Sequence, residues 1–428
     1  MASLPKKRWI FIICGFLAVV LILIAVLLIL RSRESDWKQQ IKTKSLTAQY
    51  PSKNLTPVPL TKEFLTASMD FGINFLNHEA NVEQKKNVLI SPASALFALG
   101  MTGNGADGKT LQEFEQVLGN GLSMEELSES YGTLLRQYEK IPSDKLVVAD
   151  SIWLKAEEGS VLPSFLEANA RYFGQDIYSA PSLNDAKEDI NFWVSNQTNG
   201  LIPMLYRPDE DIDPSIFMIL INTIYFHMGW ENEFNQNSAR TVNFYPIPGQ
   251  EMIMSMMHCQ ETMKYLEHDG AVGFLKPYKG GEFCFLAILP PEGQTPEEYL
   301  QSLSGQKFLE LLGRASQQEI SLTMPKFQLE FETKLNNFLR EAGMETAFGG
   351  GSFSRMCSAG QVQINNVIQK TYIELDEKGT KAAAVTAVAM DSGAAIDTIE
   401  ITLDRPFLYA ILDSKNNFPL FLGILNQP

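Results

Sequence analysis

After residue 60, apolar residues first recur at spacings of three and four: FLTASMDFGINFLNHEA (64–80), SALFALGM (94–101) and TLQEFEQVLG (110–119). That period puts the apolar positions on one helical face and predicts three successive helices. The pattern then changes. LVVADSIWL, SIFMILINTIYF, EFCFLAILP, EISLTMPKFQLEF, KTYIELDEKG and FLYAILD are β-branched or aromatic runs bounded by Gly, Pro, Asn or Asp, and they read as strands. These strands fall outside a strict βαβ rhythm and several gather near the C-terminus, so the expected class is α+β rather than a doubly wound parallel sheet. With no internal repeat and no second linker, residues 61–428 read as one domain.

Ahead of that domain the hydropathy is of another kind. Trp9 to Leu30, WIFIICGFLAVVLILIAVLLIL, is uncharged for 22 residues, enough at ~1.5 Å per residue to span a hydrocarbon core of ~30 Å. Lys6, Lys7 and Arg8 precede it, and RSRESD follows where a small-residue cleavage site would stand. The expectation is an uncleaved anchor over 9–30, residues 1–8 forming a cytoplasmic tail and everything after residue 30 lying outside. Arg31, Arg33 and Lys38 flank the far side, so the charge bias that sets orientation is weak. Residues 31–60 are polar, with Pro51, Pro57 and Pro59, and read as an extended linker holding the body away from the bilayer.

Charge narrows the partners. Lys and Arg total 35 against 50 Asp and Glu, a net charge of −15, which repels a phosphate backbone and excludes nucleic acid as a partner. Cys14 lies in the anchor, and Cys259, Cys284 and Cys357 are odd in number and widely spaced, unlike a disulfide framework or a metal site. Asn54 and Asn196 sit in glycosylation sequons. The four histidines, His78, His227, His258 and His268, join no metal-binding or nucleophile motif, so no catalytic set, metal or cofactor is expected.

One motif competes with that reading. GNGADGKT (103–110) matches the phosphate-loop spacing through Gly103, Gly108, Lys109 and Thr110, and LVVAD ending at Asp150 imitates the apolar run plus Asp that holds magnesium. A phosphate loop, however, follows a buried strand, and the preceding SPASALFALGMT has helical composition with a Ser91–Pro92 start. The alternative is a turn between helices in which Gly103, Gly105 and Gly108 supply φ > 0.

DEKGTKAAAVTAVAM (376–390) decides between them: a strand-like KTYIEL runs through Glu377, Lys378 and Gly379 into a row of small residues. It resembles the hinge and reactive-centre loop of the serpins. NVLISPASALFALGMTGNGADGKTLQEFEQVL resembles that family's early helices, NTIYFHMGWENEF its N-x-x-x-F-x-G-x-W segment, MPKFQLEF its M-P-K-F strand, and RPFLYAILDSKNNFPLFLGIL its C-terminal elements. The resemblance runs in order from 61 to 428. It implies three β-sheets, eight or nine helices and an exposed loop over about 377–400. It also implies a monomeric inhibitor, not an enzyme, that traps a serine proteinase, or alternatively a cysteine proteinase, by inserting its cleaved loop into the main sheet. By the same resemblance Glu377, Lys378, Gly379, Thr380, Lys381, Ala382, Ala383 and Ala384 form the hinge. Ser91, Ser94 and Asn222 match the cluster beneath the opening sheet, with Gln369 where the family has histidine, and Trp230 matches the tryptophan at the insertion entrance.

The loop's residue types fit such an insertion independently. Thr380, Ala382, Ala384, Thr386, Val388 and Met390 share one strand face, while Lys381 and Asp391 fall on the other, so burying the first face buries no ion. About ten residues of new backbone pairing at ~1 kcal/mol net each supply a driving force on the order of 10 kcal/mol. Counting forward from the hinge puts the scissile bond at Gly393–Ala394; counting back from Arg405 gives Ala395–Ile396. From Ala382 to Asp404 there is no Lys or Arg, so elastase-like or subtilisin-like enzymes are expected in preference to trypsin-like ones. A non-inhibitory serpin acting as a binding or structural protein stays open as an alternative.

Overall fold

A computed structural model describes residues 37–50, 55–155, 160–246, 249–358, 362–380 and 398–428. In chain order its helices are α1 (Lys62–Glu83), α2 (Pro92–Gly103), α3 (Gly108–Gly119), α4 (Met124–Tyr138), α5 (Pro163–Tyr172), α6 (Lys187–Gln197), α7 (Pro296–Gln301), α8 (Gly305–Arg314) and α9 (Asn336–Glu341). Its strands are β1 (Lys44–Ser45), β2 (Val88–Ile90), β3 (Leu146–Lys155), β4 (Asp176–Ala180), β5 (Met218–Phe226), β6 (Met228–Gly229), β7 (Arg240–Phe244), β8 (Met252–His268), β9 (Ala271–Pro277), β10 (Phe283–Leu289), β11 (Ser316–Met324), β12 (Phe327–Lys334), β13 (Asn366–Asp376), β14 (Gly379–Thr380), β15 (Ile399–Thr402), β16 (Phe407–Asp413) and β17 (Pro419–Leu425).

The first sheet has the order β1-β4-β3-β5-β13-β14-β6, with β12 on β13. The second path, β15-β11-β8-β9-β10-β16-β17-β2, is held together by the long β8, which pairs with β11 over Met257–Tyr265 and with β9 over Lys264–His268. It therefore divides into two sheets sharing one strand. Sequence reading missed β8 because MIMSMMHCQETMKYLEH is rich in Met and charge rather than β-branched residues. EISLTMPKFQLEF, read as a single run, splits at Pro325 into β11 and β12, as expected for a residue that cannot donate to a ladder.

The central strand β5 of the first sheet is buried on both faces. Along β5, Met218, Leu220, Ile224 and Phe226 face the main core between the sheets, while Ile219 and Ile221 meet Ile190, Trp193 and Val194 of α6 in a second core. Helix α2 lies under the inner face against β3, β5 and β17, and every one of its residues is buried. Its start is set by Ser91, whose side chain accepts from the Ser94 N–H, with Pro92 at the first helical position where no N–H is needed.

GNGADGKT connects α2 to α3, helix to helix, with no strand before it. Of its three glycines only Gly108 has positive φ (55°). Gly103 and Gly105 instead permit close packing: an added Cβ would lie 2.5 Å from Met124 Sδ and 2.6 Å from Met356 Cβ respectively. Lys109 points to Glu113 (3.6 Å) and the Thr110 hydroxyl meets that of Thr346 (2.8 Å), so neither side chain is left to cradle a phosphate.

Part of the presumed linker is not a free spacer. Lys38 pairs with Asp176 (2.7 Å), the Thr43 N–H and hydroxyl both donate to Asp189 Oδ2, and β1 pairs antiparallel with β4. Val58 N–H donates to the Thr133 hydroxyl (3.0 Å). The reason is visible in the sequence afterwards. Trp37, Ile41, Leu46, Tyr50 and Leu55 are apolar residues scattered through a polar stretch, all packed against the cores, and β4 would otherwise present a bare edge. Among the described residues no helix is long and apolar enough to cross a membrane; the expected anchor, Trp9 to Leu30, lies outside them.

Candidate functional site

The site is the seam between β5 and β13. These strands run parallel and pair only from Ile219–Thr223 to Asn366–Lys370, although β13 continues to Asp376 and pairs with β12 along Ile368–Leu375. At the upper end β14 lies between β13 and β6, with Thr380 opposite Leu375 on one side and Met228 on the other. The sheet is thus closed at its lower half and parted above, with two residues of the following segment already seated in the gap.

The turn into that gap is fixed at successive residues. Asp376 Oδ1 accepts from the N–H groups of Lys378 (2.8 Å) and Gly379 (3.2 Å). The N–H groups of Trp230 and Phe234 donate to the carbonyls of Lys378 and Glu377, each at 2.8 Å, and the Trp230 indole donates to that of Asp376 (3.0 Å). Glu377 pairs with Lys326 at 2.9 Å. Gly379 has φ +147°, and a Cβ there would lie 2.2 Å from the Met228 carbonyl, so only glycine fits.

Thr380 is 1% exposed, its hydroxyl 2.8 Å from that of Tyr278. Tyr278 stacks on Trp230 with centroids 4.6 Å apart. Behind them the buried Lys276 pairs with Glu261 and lies over the rings of Phe234 (4.7 Å) and Trp230 (5.5 Å). Burial raises the Tyr278 phenol pKa, which keeps it a neutral partner for Thr380. Sequence reasoning did not single out Asp376 or Tyr278; the first closes β13 beside charged residues and the second follows β9 at a Gly-containing turn, and nothing local marks them as contacts of this turn.

Lower in the seam the structure brings together Ser91, Ser94, Asn222 and Gln369, residues separated by up to 278 positions. Gln369 accepts from the Ser91 N–H (2.8 Å) and donates to the Ser91 carbonyl and to Asn222 Oδ1, both 2.9 Å. Ser91 donates to the Leu420 carbonyl (2.7 Å), and Ser94 donates to Asp150 Oδ1 (3.2 Å). Gln369 is opposite Asn222, and Asn222 is opposite Asp150, so the three form one row across β13, β5 and β3. Asp150, which in sequence imitated a magnesium ligand, is fully buried here, and burial pushes its carboxyl pKa well above the usual range.

Lys381, Ala382, Ala383 and Ala384, and both candidate scissile bonds, Gly393–Ala394 and Ala395–Ile396, lie outside the described residues. Among the described residues no cluster of His, Cys, Asp or Glu could hold a metal ion.

The sequence profile of the family described as serpin (serine protease inhibitor) matches residues 66–428. The chain belongs to the serpin family. It is 28% identical to serpin B6 of Pongo abelii over 373 residues, covering 85% of this chain and 98% of that one. The native-state structure of a thermophilic serpin, tengpin, superposes with a TM-score of 0.83 at 33% identity, covering 91% of this serpin and all of that chain. Against the latent state of tengpin, at the same identity, the TM-score is 0.73 over 86% of this chain. The fold described here thus lies nearer the native form than the latent one, in keeping with a seam still closed below Thr223.

Proposed function

We propose that this serpin is a suicide inhibitor of serine proteinases, elastase-like or subtilisin-like in preference, and that its cleaved loop enters the seam between β5 and β13. The observation that carries the proposal is Thr380, already paired on both sides and facing the main core. Continuing the Leu375–Thr380 register antiparallel down β13 sets Ala382 against Ile373, Ala384 against Thr371, Thr386 against Gln369 and Val388 against Val367. Small residues thus meet the core, and the one hydroxyl in mid-segment arrives at the polar row. On the other face the same register sets Lys381 against Glu374, an opposite-charge pair. Insertion exchanges the Asn222–Gln369 bond for contacts of both residues with Thr386, so the row stays polar.

The test is incubation with an elastase-like enzyme, subtilisin and trypsin, followed by denaturing electrophoresis. Covalent complexes with the first two and slow or absent trapping of trypsin support the reading. Cleavage of the loop by every enzyme without a stable complex would assign the chain to the non-inhibitory serpins, and trapping of trypsin alone would overturn the specificity.

We also propose that residues 9–30 anchor the body outside a membrane. Because Trp37 packs against Phe192 with centroids 6.1 Å apart, the tether would consist of residues 31–36 alone. Six residues reach at most ~20 Å, so the body works close to the bilayer rather than at the end of a long spacer. Protease accessibility of an epitope-tagged chain in intact cells tests the topology: protection of the body would refute it.

A further inference from the structure

The row across the seam has a titrating member that the proposed insertion does not use. Asp150, Asn222 and Gln369 stand side by side on β3, β5 and β13, and with Ser94 and Ser91 they form a ring open at one link: Ser94 donates to Asp150 through its hydroxyl and to the Ser91 hydroxyl through its N–H (3.2 Å). One link of the ring is incomplete. Asp150 Oδ2 and Asn222 Nδ2, on directly opposite residues, are both buried and both without a hydrogen-bond partner.

A carboxylate held there would be bonded to one donor, Ser94, with the unpaired Asn222 amide opposite, no neighbouring counter-charge among the described residues and no exposure to solvent, a costly arrangement for a charge. We propose that Asp150 is a positioning residue for sheet opening: protonated, it sits in the ring that ties β5 to β13, and loss of its proton loosens that tie, so that the seam opens more readily as pH rises. The proton goes to solvent, and opening hydrates the carboxylate it leaves.

The groups facing Asp150 do not compete for this role. Ser94 on α2, Asn222 on β5 and Gln175, whose side chain accepts the Asp150 N–H ahead of β4, do not titrate. Asp176 on β4 is engaged by Lys38 and by the Trp193 indole, and Lys370 on β13 by Glu330 and Glu332. Burial and the Ser94 hydroxyl act on the Asp150 carboxyl, and no neighbouring charge among the described residues does. Glu79 on α1 is the nearest analogue. It is buried, its pKa is raised mainly by that burial, and it is bonded to Thr333, which stands opposite Gln369 at the far end of the row.

The sign follows from linkage. A carboxyl whose folded pKa is raised binds its proton more tightly in the closed body than in the hydrated state, so stability falls as pH rises from the ordinary carboxyl range, about pH 4, up to the folded pKa, and is level above it. One proton sets the limit at about tenfold in the closed-to-open ratio per pH unit.

The experiment measures the melting temperature of the full-length chain, and the rate at which it takes up a synthetic peptide of residues 380–391, across that pH range in the wild type, Asp150→Asn, Glu79→Gln and the double variant. Melting should fall and peptide uptake should accelerate with pH in the wild type. Asp150→Asn should flatten both profiles, leaving the share that Glu79→Gln removes. A wild-type slope retained in Asp150→Asn would overturn the proposal. Should Asp150→Asn not fold, Ser94→Ala takes away the one donor bonded to the carboxyl among the described residues and must move the fall to higher pH; an unmoved profile overturns the proposal equally. The inference rests on strand insertion only for its functional consequence. A sheet that accepts no peptide at any pH would defeat the insertion reading, while the melting slopes still decide the role of Asp150.

Discussion

Thr380→Arg is the substitution whose effect the hinge geometry determines most fully. The threonine is 1% exposed, and its hydroxyl is 2.8 Å from the Tyr278 hydroxyl in a site roofed by the Tyr278–Trp230 stack. Behind that stack the Glu261 carboxylate is already paired with Lys276, whose cation lies 5.5 Å from the Trp230 ring centre. An unpaired buried charge costs about 3–5 kcal/mol, against a driving force for insertion on the order of 10 kcal/mol. Because Thr380 is already seated between β13 and β6 in the intact chain, the arginine would first drive β14 out of the gap; insertion, which must bury it again, stays downhill but slows by about 10²–10⁴-fold if that cost falls on the barrier. That is enough for hydrolysis of the acyl-enzyme to win. The assay is the stoichiometry of inhibition with an elastase-like enzyme, read beside loop cleavage: the variant should be cut at the wild-type rate and release active enzyme. Thr380→Val, which keeps the shape and loses one hydrogen bond worth ~1 kcal/mol, should remain an inhibitor. An unchanged stoichiometry in Thr380→Arg would refute the reasoning, because the buried position could then not be on the insertion path.

Three further outcomes follow from the same contacts. Gln369→Ala strands the Ser91 N–H and carbonyl and Asn222 Oδ1, all buried, and should lower stability in urea by about 3 kcal/mol or more; a loss below 1 kcal/mol, roughly one ordinary hydrogen bond, would show that the cluster carries no special load. Deleting residues 1–50 uncovers the β4 edge, so melting should fall and light scattering should report self-association, whereas deleting 1–36 should cause neither. Burial pushes the Cys259 thiol up to about 12 and that of Cys284 up to about 11, so iodoacetamide at about pH 8 should label both slowly until the protein is unfolded.

The fold was legible where periodicity and β-branching were strong: α1, α2 and α3, and β3, β5, β10 and β13 appear where the apolar pattern put them. It was least legible where composition concealed it, as in the Met-rich β8, and where polarity passed for extension, as in residues 37–50, whose few apolar anchors are too sparse to form a periodic pattern. The cluster of Ser91, Ser94, Asn222 and Gln369 was reached through family resemblance. Its physical logic, a polar row in register across three strands, needs the pairing that only the folded chain displays. Asp150 shows the limit well: in sequence an aspartate ending an apolar run suits a metal site, and only its position opposite Asn222 and against α2 shows that the carboxyl meets the Ser94 hydroxyl instead.

Stored conformational energy is the core of this account, and one calorimetric comparison tests it directly. The loop is cut by a protease that is then removed, and melting of the cut and intact chains is compared. Incorporation of the freed strand between β5 and β13 should raise the melting temperature substantially, since it adds backbone pairing on the order of 10 kcal/mol. Equal melting temperatures, with the freed segment still open to exopeptidase digestion, would contradict it.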